Sequence, residues 1–326
     1  ESTEEAQEEK DPLISEIDTS VELQAGSRVA VVSKSTSGEF WGLVKKGMEQ
    51  AIADVNEAYG FKKEDQVTMT FEGASDEKDV ESQVNTIDAV IAENPDVLCV
   101  SASDMDSLQA QLEAAKENGI PVVAFDSGVT DSKMVRAFRG TDNTRVGEIA
   151  AYRLATAIGK MGKVAVFSAQ EKTQSIQERV SGFTNYITNY PDIEVVEIVY
   201  QDQVDDMTAA MQEVLDKYPQ LDGVFCDNAD IADLYLDMKK DETKDSIVMV
   251  GVDATAKQQE AIRNAKEVGV VSQQPYAMGY QTIWTALLTT APKKSVEIKR
   301  NVRIDPAWID SSNIDDPTYS SYLYAN

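Results

Sequence analysis

The amino-acid sequence predicts an α/β protein built from two similar, doubly wound parallel-sheet lobes. The first observation is an alternation of short β-branched runs with longer amphipathic stretches from Arg28 onward. The second is a strand–helix unit that occurs twice. The third is the length of 326 residues, which exceeds what one ordinary core accommodates. Together these observations favour two lobes, each with its own sheet.

The alternation predicts the individual elements in chain order. Strands are expected at 28–33, 66–71, 96–101, 121–126, 163–168, 194–199, 223–228, 246–253 and 267–273. Helices are expected between them at 39–59, 77–93, 107–118, 145–160, 174–190, 206–218 and 231–240. Strand–helix alternation of this kind builds parallel sheets that are covered by helices on both faces.

The repeated unit begins with two similar segments, PDVLCVSASD from Pro95 and LDGVFCDNAD from Leu221. Each segment is followed by a helical pattern and by an apolar run that ends in an aspartate, Asp126 in the first unit and Asp253 in the second. Ligands of open α/β sheets bind beyond the carboxyl ends of the strands. If the two lobes face each other, both aspartates point into one cleft, although each alone would be a turn or N-cap residue.

Charge and composition exclude several classes of function. Fifty-seven acidic and 30 basic residues leave a net charge of −27, which repels nucleic acid, so no nucleic-acid partner is expected. The chain contains no histidine, which excludes Ser-His-Asp catalysis and histidine-ligated zinc. No catalytic residue, metal site or cofactor is predicted. Cys99 and Cys226 lie within apolar runs and are interpreted as small buried residues.

The loop after the first strand carries side chains that a core does not need. Lys34 begins the loop and the pair Phe40-Trp41 follows it. Adjacent helix positions are about 100° apart, so at least one ring is expected to face a cleft. An aromatic ring with fixed hydrogen-bonding groups around it matches the apolar face and hydroxyl rim of a sugar. The loop lacks the Gly-Lys-Ser/Thr signature of phosphate binders, so nucleotide binding is not favoured.

Three further polar residues follow predicted strands or lie on the helices that those strands precede. Arg179, Asn228 and Gln273 supply planar hydrogen-bonding groups of the type that recognises sugar hydroxyls. Each also has a simpler interpretation, namely a surface salt bridge for Arg179, a helix N-cap for Asn228 and a turn for Gln273. These residues taken one by one do not decide between the two interpretations.

The motifs taken together resemble the periplasmic-binding-protein-like sugar receptors of ABC importers, in the group close to ribose-binding protein. The similarity extends from Arg28 to about Arg303. Its motifs are VSKSTSGEFWGLVKKG, NPDVLCVSASD, GIPVVAFDSGV, GTDNTRVGEIAA, ERVSGF, VFCDNAD, VMVGVDAT and VSQQP. Their order and spacing carry the resemblance more than any single motif does.

The resemblance implies a type I solute-binding fold with a three-segment hinge, expected near Thr141, Gln273 and Val302. It places residues 28–141 and 274–302 in an N-terminal lobe and residues 142–273 and 303–326 in a C-terminal lobe. It also implies a ligand site between the lobes. The positions that match the family's site are Lys34, Phe40, Trp41, Ser101, Asp126, Ser127, Arg179, Asn228, Asp253 and Gln273.

The expected function is therefore that of a monomeric, non-enzymatic receptor that captures a monosaccharide or similar polyol and delivers it to the ABC permease. Ribose receptors have an Arg after the first site aspartate, whereas this chain has Ser127 there and Lys34 in the preceding loop. A carboxylated sugar thus stays open as a ligand. Two alternatives use the same cleft, a sugar sensor for a chemoreceptor or kinase, and a sugar enzyme with Asp126 and Asp253 as a carboxylate pair.

The two ends of the chain predict where the protein is located and how its C-terminal extension packs. Residues 1–27 are acidic and poor in aromatic side chains, and are interpreted as a tether or linker. With the resemblance, this predicts an exported protein held outside the cytoplasmic membrane by a lipid anchor, with a soluble periplasmic protein as the alternative. The aromatic residues after Arg303 predict that the C-terminal extension packs against a lobe.

Overall fold

The computed structural model describes residues 14, 17–243, 245–292 and 296–325. The first half of the chain contains β1 (Arg28–Ser33), α1 (Glu39–Tyr59), β2 (Thr68–Gly73), α2 (Val80–Ala92), β3 (Val97–Val100), α3 (Gln109–Glu117), β4 (Val122–Phe125) and β5 (Ala137–Thr141). The second half contains α4 (Asn143–Ala157), β6 (Gly162–Ser168), α5 (Gln174–Ile187), β7 (Ile193–Tyr200), α6 (Met207–Lys217), β8 (Gly223–Cys226), α7 (Ala229–Met238), β9 (Val248–Val252), α8 (Ala256–Arg263) and β10 (Gly269–Ser272). The chain then forms α9 (Pro275–Leu288), β11 (Asn301–Ile304) and β12 (Ala307–Asp310).

These strands form two six-stranded sheets, one in each lobe. The order is β11-β5-β4-β3-β1-β2 in the first sheet and β12-β10-β9-β8-β6-β7 in the second. All neighbouring strands are parallel except β10 and β12, which pair antiparallel. The prediction of two α/β lobes with doubly wound parallel sheets is confirmed.

The repeated aspartates make the same contacts in both lobes. Asp96, just before β3, accepts a hydrogen bond from the backbone N–H of Arg28 at 2.7 Å. Asp222, just before β8, accepts one from the backbone N–H of Lys163 at 2.9 Å. In each lobe this side chain ties the start of one central strand to its neighbour. The internal repeat in the sequence therefore corresponds to equivalent positions in the two sheets.

Each lobe has its own apolar core. In the first lobe, strand residues such as Val31 and Val123 are buried against α1 and α9, which supply Val44 and Ile283. In the second lobe, Phe183 on α5 stacks on Phe225 of β8 with ring centroids 4.8 Å apart. Because both faces of each sheet are covered, the polar ends of the strands are the places where side chains reach a ligand.

The chain passes between the sheets three times, after β5, after β10 and between β11 and β12. The first two passages lie at the positions expected from Thr141 and Gln273. The third lies later than Val302, because β11 runs to Ile304 and pairs with β5 along its whole length. Residues 303 and 304 thus belong to the first sheet, and the assignment of all of 303–326 to the second lobe is wrong for these two residues.

The predicted tether also differs from the structure in part. Residues 1–13, 15 and 16 lie outside the described residues. From residue 17 onward the segment packs on the first lobe, where Leu23 is buried and Ile17 and Val21 contact the core. The hydroxyl of Tyr59 on α1 donates to the carbonyl of Val21 at 2.6 Å. Residues 17–27 are not a free tether, because their few apolar side chains pack against the first lobe.

The C-terminal extension packs against the second lobe, as its aromatic content predicts. Its side chains Ile314 and Leu323 join a small apolar cluster with Val270 and Ile309. Among the described residues, no helix combines the length and the apolar character that crossing a bilayer requires.

Candidate functional site

The two lobes present equivalent aspartates at their strand ends. Asp126 follows β4 and Asp253 follows β9, and both have left-handed backbone conformations with φ of 58° and 74°. The N–H of Asp126 donates to the carbonyl of Arg139 on β5, and that of Asp253 donates to the carbonyl of Val271 on β10, each at 2.9 Å. A non-glycine residue in this conformation is uncommon. Its occurrence at both strand ends turns each carboxylate out of the sheet and into the cleft.

Both aspartates line one cavity of about 300 Å³ between the lobes. The lobes contact each other beside it. The N–H of Met105 donates to the carbonyl of Lys172 at 2.9 Å, and the hydroxyls of Ser127 and Ser175 lie 2.7 Å apart. The two lobes thus contact each other directly beside the cavity.

On the first-lobe side, Asp126 takes part in a buried ion pair. Its Oδ2 lies 3.0 Å from Nζ of Lys34 and accepts hydrogen bonds from the hydroxyls of Ser101 at 2.7 Å and Ser127 at 3.0 Å. Burial lowers the pKa of Lys34, but the charges of Asp126 and Glu77 outweigh it and raise the pKa. Lys34 is therefore charged. Because these contacts all fall on Oδ2, Oδ1 of Asp126 is the oxygen available to a ligand.

On the second-lobe side, Asp253 is held by uncharged donors. Its Oδ1 accepts from Nε2 of Gln273 and from the hydroxyl of Tyr324, each at 2.7 Å. Its Oδ2 accepts from the N–H of Ala229 at the start of α7, at 2.9 Å. The N-terminus of a helix carries partial positive charge, so it compensates the carboxylate in place of a cation.

The aromatic pair after β1 belongs to the core and to the cavity wall at once. Phe40 is 9% exposed and Trp41 is 3% exposed, and their rings meet edge to face with centroids 4.9 Å apart. Both rings line the cavity, in agreement with the expectation that at least one faces the cleft. The indole N–H of Trp41 donates to Oε1 of Glu77 at 2.8 Å, which fixes the plane of its ring.

Arg179 and Asn228 each use some polar atoms in hydrogen bonds within the protein and leave others available in the cavity. In Arg179, Nε donates to Oδ1 of Asn143 and Nη1 donates to the carbonyl of Asp227, each at 2.9 Å. This leaves Nη2 for a ligand. Arg179 is 3% exposed, so its interpretation as a surface salt bridge is wrong. Oδ1 of Asn228 caps α7 by accepting from the N–H of Ile231, so the N-cap interpretation is correct, while its amide group is available to the cavity.

Gln273 lies where the chain passes from β10 to α9. Its Oε1 accepts from the hydroxyl of Thr141 at 2.7 Å, and its Nε2 donates to Asp253. The side chain therefore links the first two passages between the lobes to a carboxylate of the cavity.

Eight of the ten residues predicted for the site line the cavity, namely Lys34, Phe40, Trp41, Asp126, Arg179, Asn228, Asp253 and Gln273. The other two, Ser101 and Ser127, lie behind the wall and hold Asp126. The role of each residue as a ligand contact stays a prediction.

Sequence reasoning missed two features of the site. The first is Tyr324, which comes from the C-terminal extension. The second is the number of carboxylates in the wall, where Glu39, Glu77, Asp230 and Asp233 join the two predicted aspartates. Burial and the nearby charge of Glu39 raise the pKa of Asp233 to about 6 despite a hydrogen bond from Thr255. The motif VFCDNAD already contains Asp230, and Asp233 lies three residues further along the same helix, α7, whereas Glu39 and Glu77 come from α1 and from the loop before α2.

The chain is similar to sugar-binding proteins in sequence. It is 27% identical to the ribose import binding protein of Bacillus subtilis over 203 residues, which is 62% of this chain and 66% of that protein. It is 23% identical to the xylitol-binding protein of Mycolicibacterium smegmatis over 197 residues, which is 60% of this chain and 56% of that protein. The aligned part spans just under two thirds of the length of the curated relatives it matches first.

The structural similarity covers more of the chain. A solute-binding protein of an ABC transporter from Agrobacterium vitis, solved with D-fucose, superposes with a TM-score of 0.83 at 28% identity, over 91% of this chain and 100% of that one. A carbohydrate transporter solute-binding protein from Agrobacterium radiobacter, solved with D-arabinose, superposes with a TM-score of 0.82 at 28% identity, over 92% and 99%.

A family model, the periplasmic binding protein domain, matches residues 29–291. That range contains β1 except its first residue, β2 to β10, α1 to α9 and every residue of the cavity wall. With its two α/β lobes and three passages between them, the chain belongs to the periplasmic binding protein family and has the type I fold.

Proposed function

We propose that this protein captures a neutral monosaccharide or similar polyol in the cavity between its lobes and delivers it to an ABC importer. The observation that carries the proposal is the cavity between the lobes, whose wall combines two strand-end carboxylates with an aromatic pair. A carboxylate accepts from two vicinal hydroxyls, and an aromatic ring covers the apolar face of a sugar ring. The sugars bound to the similar solved proteins support the same class of ligand.

The charge of the wall favours an uncharged ligand over a sugar acid. Six carboxylates face two cations, Lys34 and Arg179, and the charge of Lys34 is already engaged with Asp126 at 3.0 Å. A further carboxylate from the ligand would enter a wall of mostly negative charge, where Lys34 is already paired with Asp126 and Arg179 offers only its Nη2 group. The buried ion pair thus supports a structural role for Lys34 toward Asp126 and speaks against a carboxylated sugar.

The permease is the partner that this function requires, since a closed receptor is the form that an importer recognises. Family membership supports a location outside the cytoplasmic membrane. The lipid anchor and the monomeric state stay predictions. The absence of histidine from the whole sequence is compatible with a receptor, because binding a sugar requires no proton transfer.

The test is a thermal-shift screen of the purified protein with D-ribose, D-arabinose, D-fucose, D-tagatose and xylitol. D-glucuronate and ribose 5-phosphate serve as charged counterparts. A ligand present at about 100 times its Kd stabilises the folded state by about 2.7 kcal/mol, so at least one neutral compound should raise the melting temperature by several degrees. The charged compounds should leave it unchanged.

Calorimetric titration of the best compound should then give one site per chain with the ligand recovered intact. A screen in which no neutral compound raises the melting temperature contradicts the sugar assignment. Conversion of the compound into a product would favour the carboxylate-pair enzyme instead.

A further inference from the structure

Tyr324 lies near the end of the C-terminal extension, beyond the range matched by the family model. Its side chain is 1% exposed, although residues 325 and 323 beside it are more accessible. A tyrosine this deeply buried needs a partner for its hydroxyl group. It finds that partner in a carboxylate of the candidate site, Asp253 of the second lobe.

The hydroxyl of Tyr324 donates to Oδ1 of Asp253 at 2.7 Å and accepts from the N–H of Gln273 at 3.4 Å. Burial, together with the charge of Asp253, raises the pKa of Tyr324 well above its usual value. The phenol therefore keeps its proton and always acts as the donor toward the carboxylate. Asp253 and Gln273 both line the cavity, so Tyr324 contacts the wall from behind at two points.

The ring of Tyr324 reaches the other lobe. Its centroid lies 6.1 Å from that of Phe40 at the start of α1, and it belongs to the apolar core of the first lobe. The extension that carries it is otherwise packed on the second lobe. The side chain thus touches an aromatic residue of one lobe and a carboxylate of the other.

The backbone around Tyr324 is held in place. Its N–H donates to the carbonyl of Ala254 at 3.0 Å, and its carbonyl accepts from Nε2 of Gln259 at 2.8 Å. Two residues earlier, the carbonyl of Tyr322 accepts from the hydroxyl of Ser272 at 2.5 Å. These bonds tie the extension to the loop of Asp253 and to the end of β10, so the position of the phenol is defined by the second lobe.

We infer that Tyr324 is a positioning residue of the ligand site, and that the C-terminal extension thereby forms part of the binding apparatus. It fixes the carboxylate of Asp253 in the orientation that accepts a ligand hydroxyl, and it gives Phe40 a surface to pack on when the lobes are closed. The inference rests on the proposed function, because the expected effect of Tyr324 is on the affinity of the protein for a neutral sugar.

The test compares Tyr324→Phe with wild-type protein by calorimetric titration of the neutral compound from the panel that binds wild type. Phenylalanine keeps the ring against Phe40 and removes the hydroxyl, with its bond to Asp253 and the longer bond from the N–H of Gln273. The Kd should rise about tenfold, the order expected for a lost hydrogen bond to a charged group. Tyr319→Phe is the matched control, since Tyr319 lies in the same extension and packs on Tyr322 without contacting Asp253; its Kd should stay within about twofold of wild type.

A double-mutant cycle separates positioning from general stability. In the Asp253→Ala background, adding Tyr324→Phe should change the Kd by less than about twofold, because the acceptor through which Tyr324 acts is gone. Melting of the unliganded variants checks that each is folded. An unchanged Kd in Tyr324→Phe, or the same loss in both backgrounds, overturns the inference while leaving sugar binding intact. Failure of wild type to bind any compound overturns the proposed function itself.

Discussion

Asp126 and Asp253 occupy equivalent positions in the two lobes, yet the protein supports them in different ways. In the first lobe, a buried cation at 3.0 Å and two hydroxyls surround Asp126. In the second lobe, an amide, a phenol and a backbone N–H at the start of a helix surround Asp253. The backbone conformation is shared by the two lobes, whereas the source of the compensating charge is not.

This difference shows that the two lobes conserve the position of the strand-end carboxylate but not the groups that neutralise its charge. A buried ion pair depends on both partners, because removing one leaves an isolated charge in a region of low dielectric constant. A carboxylate held by neutral donors depends on several weaker bonds, and losing one costs less. The two halves of the site should therefore respond differently to equivalent substitutions.

The largest effect is expected for Lys34→Met, which keeps most of the length of the side chain and removes the cation. Asp126 would then be buried without a counterion, and the free energy of unfolding should fall by about 3–5 kcal/mol. Urea unfolding of the unliganded protein measures this. Lys45→Met is the control, because Lys45 forms an exposed pair with Glu49 at 3.8 Å and should change stability by no more than about 0.5 kcal/mol.

Replacing both partners sharpens the result. Lys34→Met combined with Asp126→Asn should recover most of the lost stability, since no unpaired charge remains and Asn tolerates the left-handed backbone of position 126. A Lys34→Met protein as stable as wild type would show that Asp126 is not held by this ion pair.

A smaller effect is expected for Asp253→Asn than for Asp126→Asn. At position 253 the substituted amide would keep one acceptor oxygen but turn its NH₂ group toward a donor, which should lower the free energy of unfolding by about 1–3 kcal/mol. Asp126→Asn leaves Lys34 buried without its counterion and should cost about 3–5 kcal/mol. The same urea experiment compares the two variants, and equal losses would contradict the distinction between the lobes.

The second lobe should also show an effect of pH on its stability. Asp227, which is 0% exposed, accepts hydrogen bonds from Ser168 and from the N–H of Ala169. Burial raises its pKa to about 7 in spite of these bonds and of the charge of Arg179. Burial also raises the pKa of Glu267 well above its usual value. In the described part of the chain, neither carboxyl has a buried cation within salt-bridge distance.

The sign of the pH effect follows from proton binding. Between about pH 4 and pH 7 the unfolded chain releases the proton of Asp227 while the folded protein keeps it, so stability falls as pH rises. The melting temperature of unliganded protein should therefore decrease from about pH 5 to about pH 7.5, and less steeply in Asp227→Asn. Asp241→Asn removes an exposed charge and should keep the wild-type slope. If the melting temperature of Asp227→Asn fell with pH as steeply as that of wild type, Asp227 would not be the source of the pH dependence.

Sequence patterns predicted most of the elements, and the omissions have physical reasons. β5 was missed because its residues AFRGT include an arginine and a glycine in place of β-branched side chains. α9 was missed because it is buried on most sides and so lacks the amphipathic period of a surface helix. β11 and β12 are four residues each, and only their pairing with β5 and β10 makes them strands.

Most residues predicted for the site lie in the cavity wall, and their contacts with a ligand stay predictions. The repeat located Asp126 and Asp253, and the resemblance added Arg179, Asn228 and Gln273, all of which line the cavity. No pattern pointed to Tyr324, because its partner Asp253 is 71 residues away in the chain. Nothing in the sequence indicated that Lys34 would pair with Asp126, which comes from a different strand end.

The sequence by itself determined that this protein has two parallel-sheet lobes with a carboxylate at the end of a strand in each, because hydrophobic periodicity and the internal repeat are local properties of the chain. Only the tertiary structure decided how each carboxylate is compensated, and which side chains close the cavity. Those contacts join residues that are distant in the chain, and their energies depend on burial and distance, which no local pattern encodes.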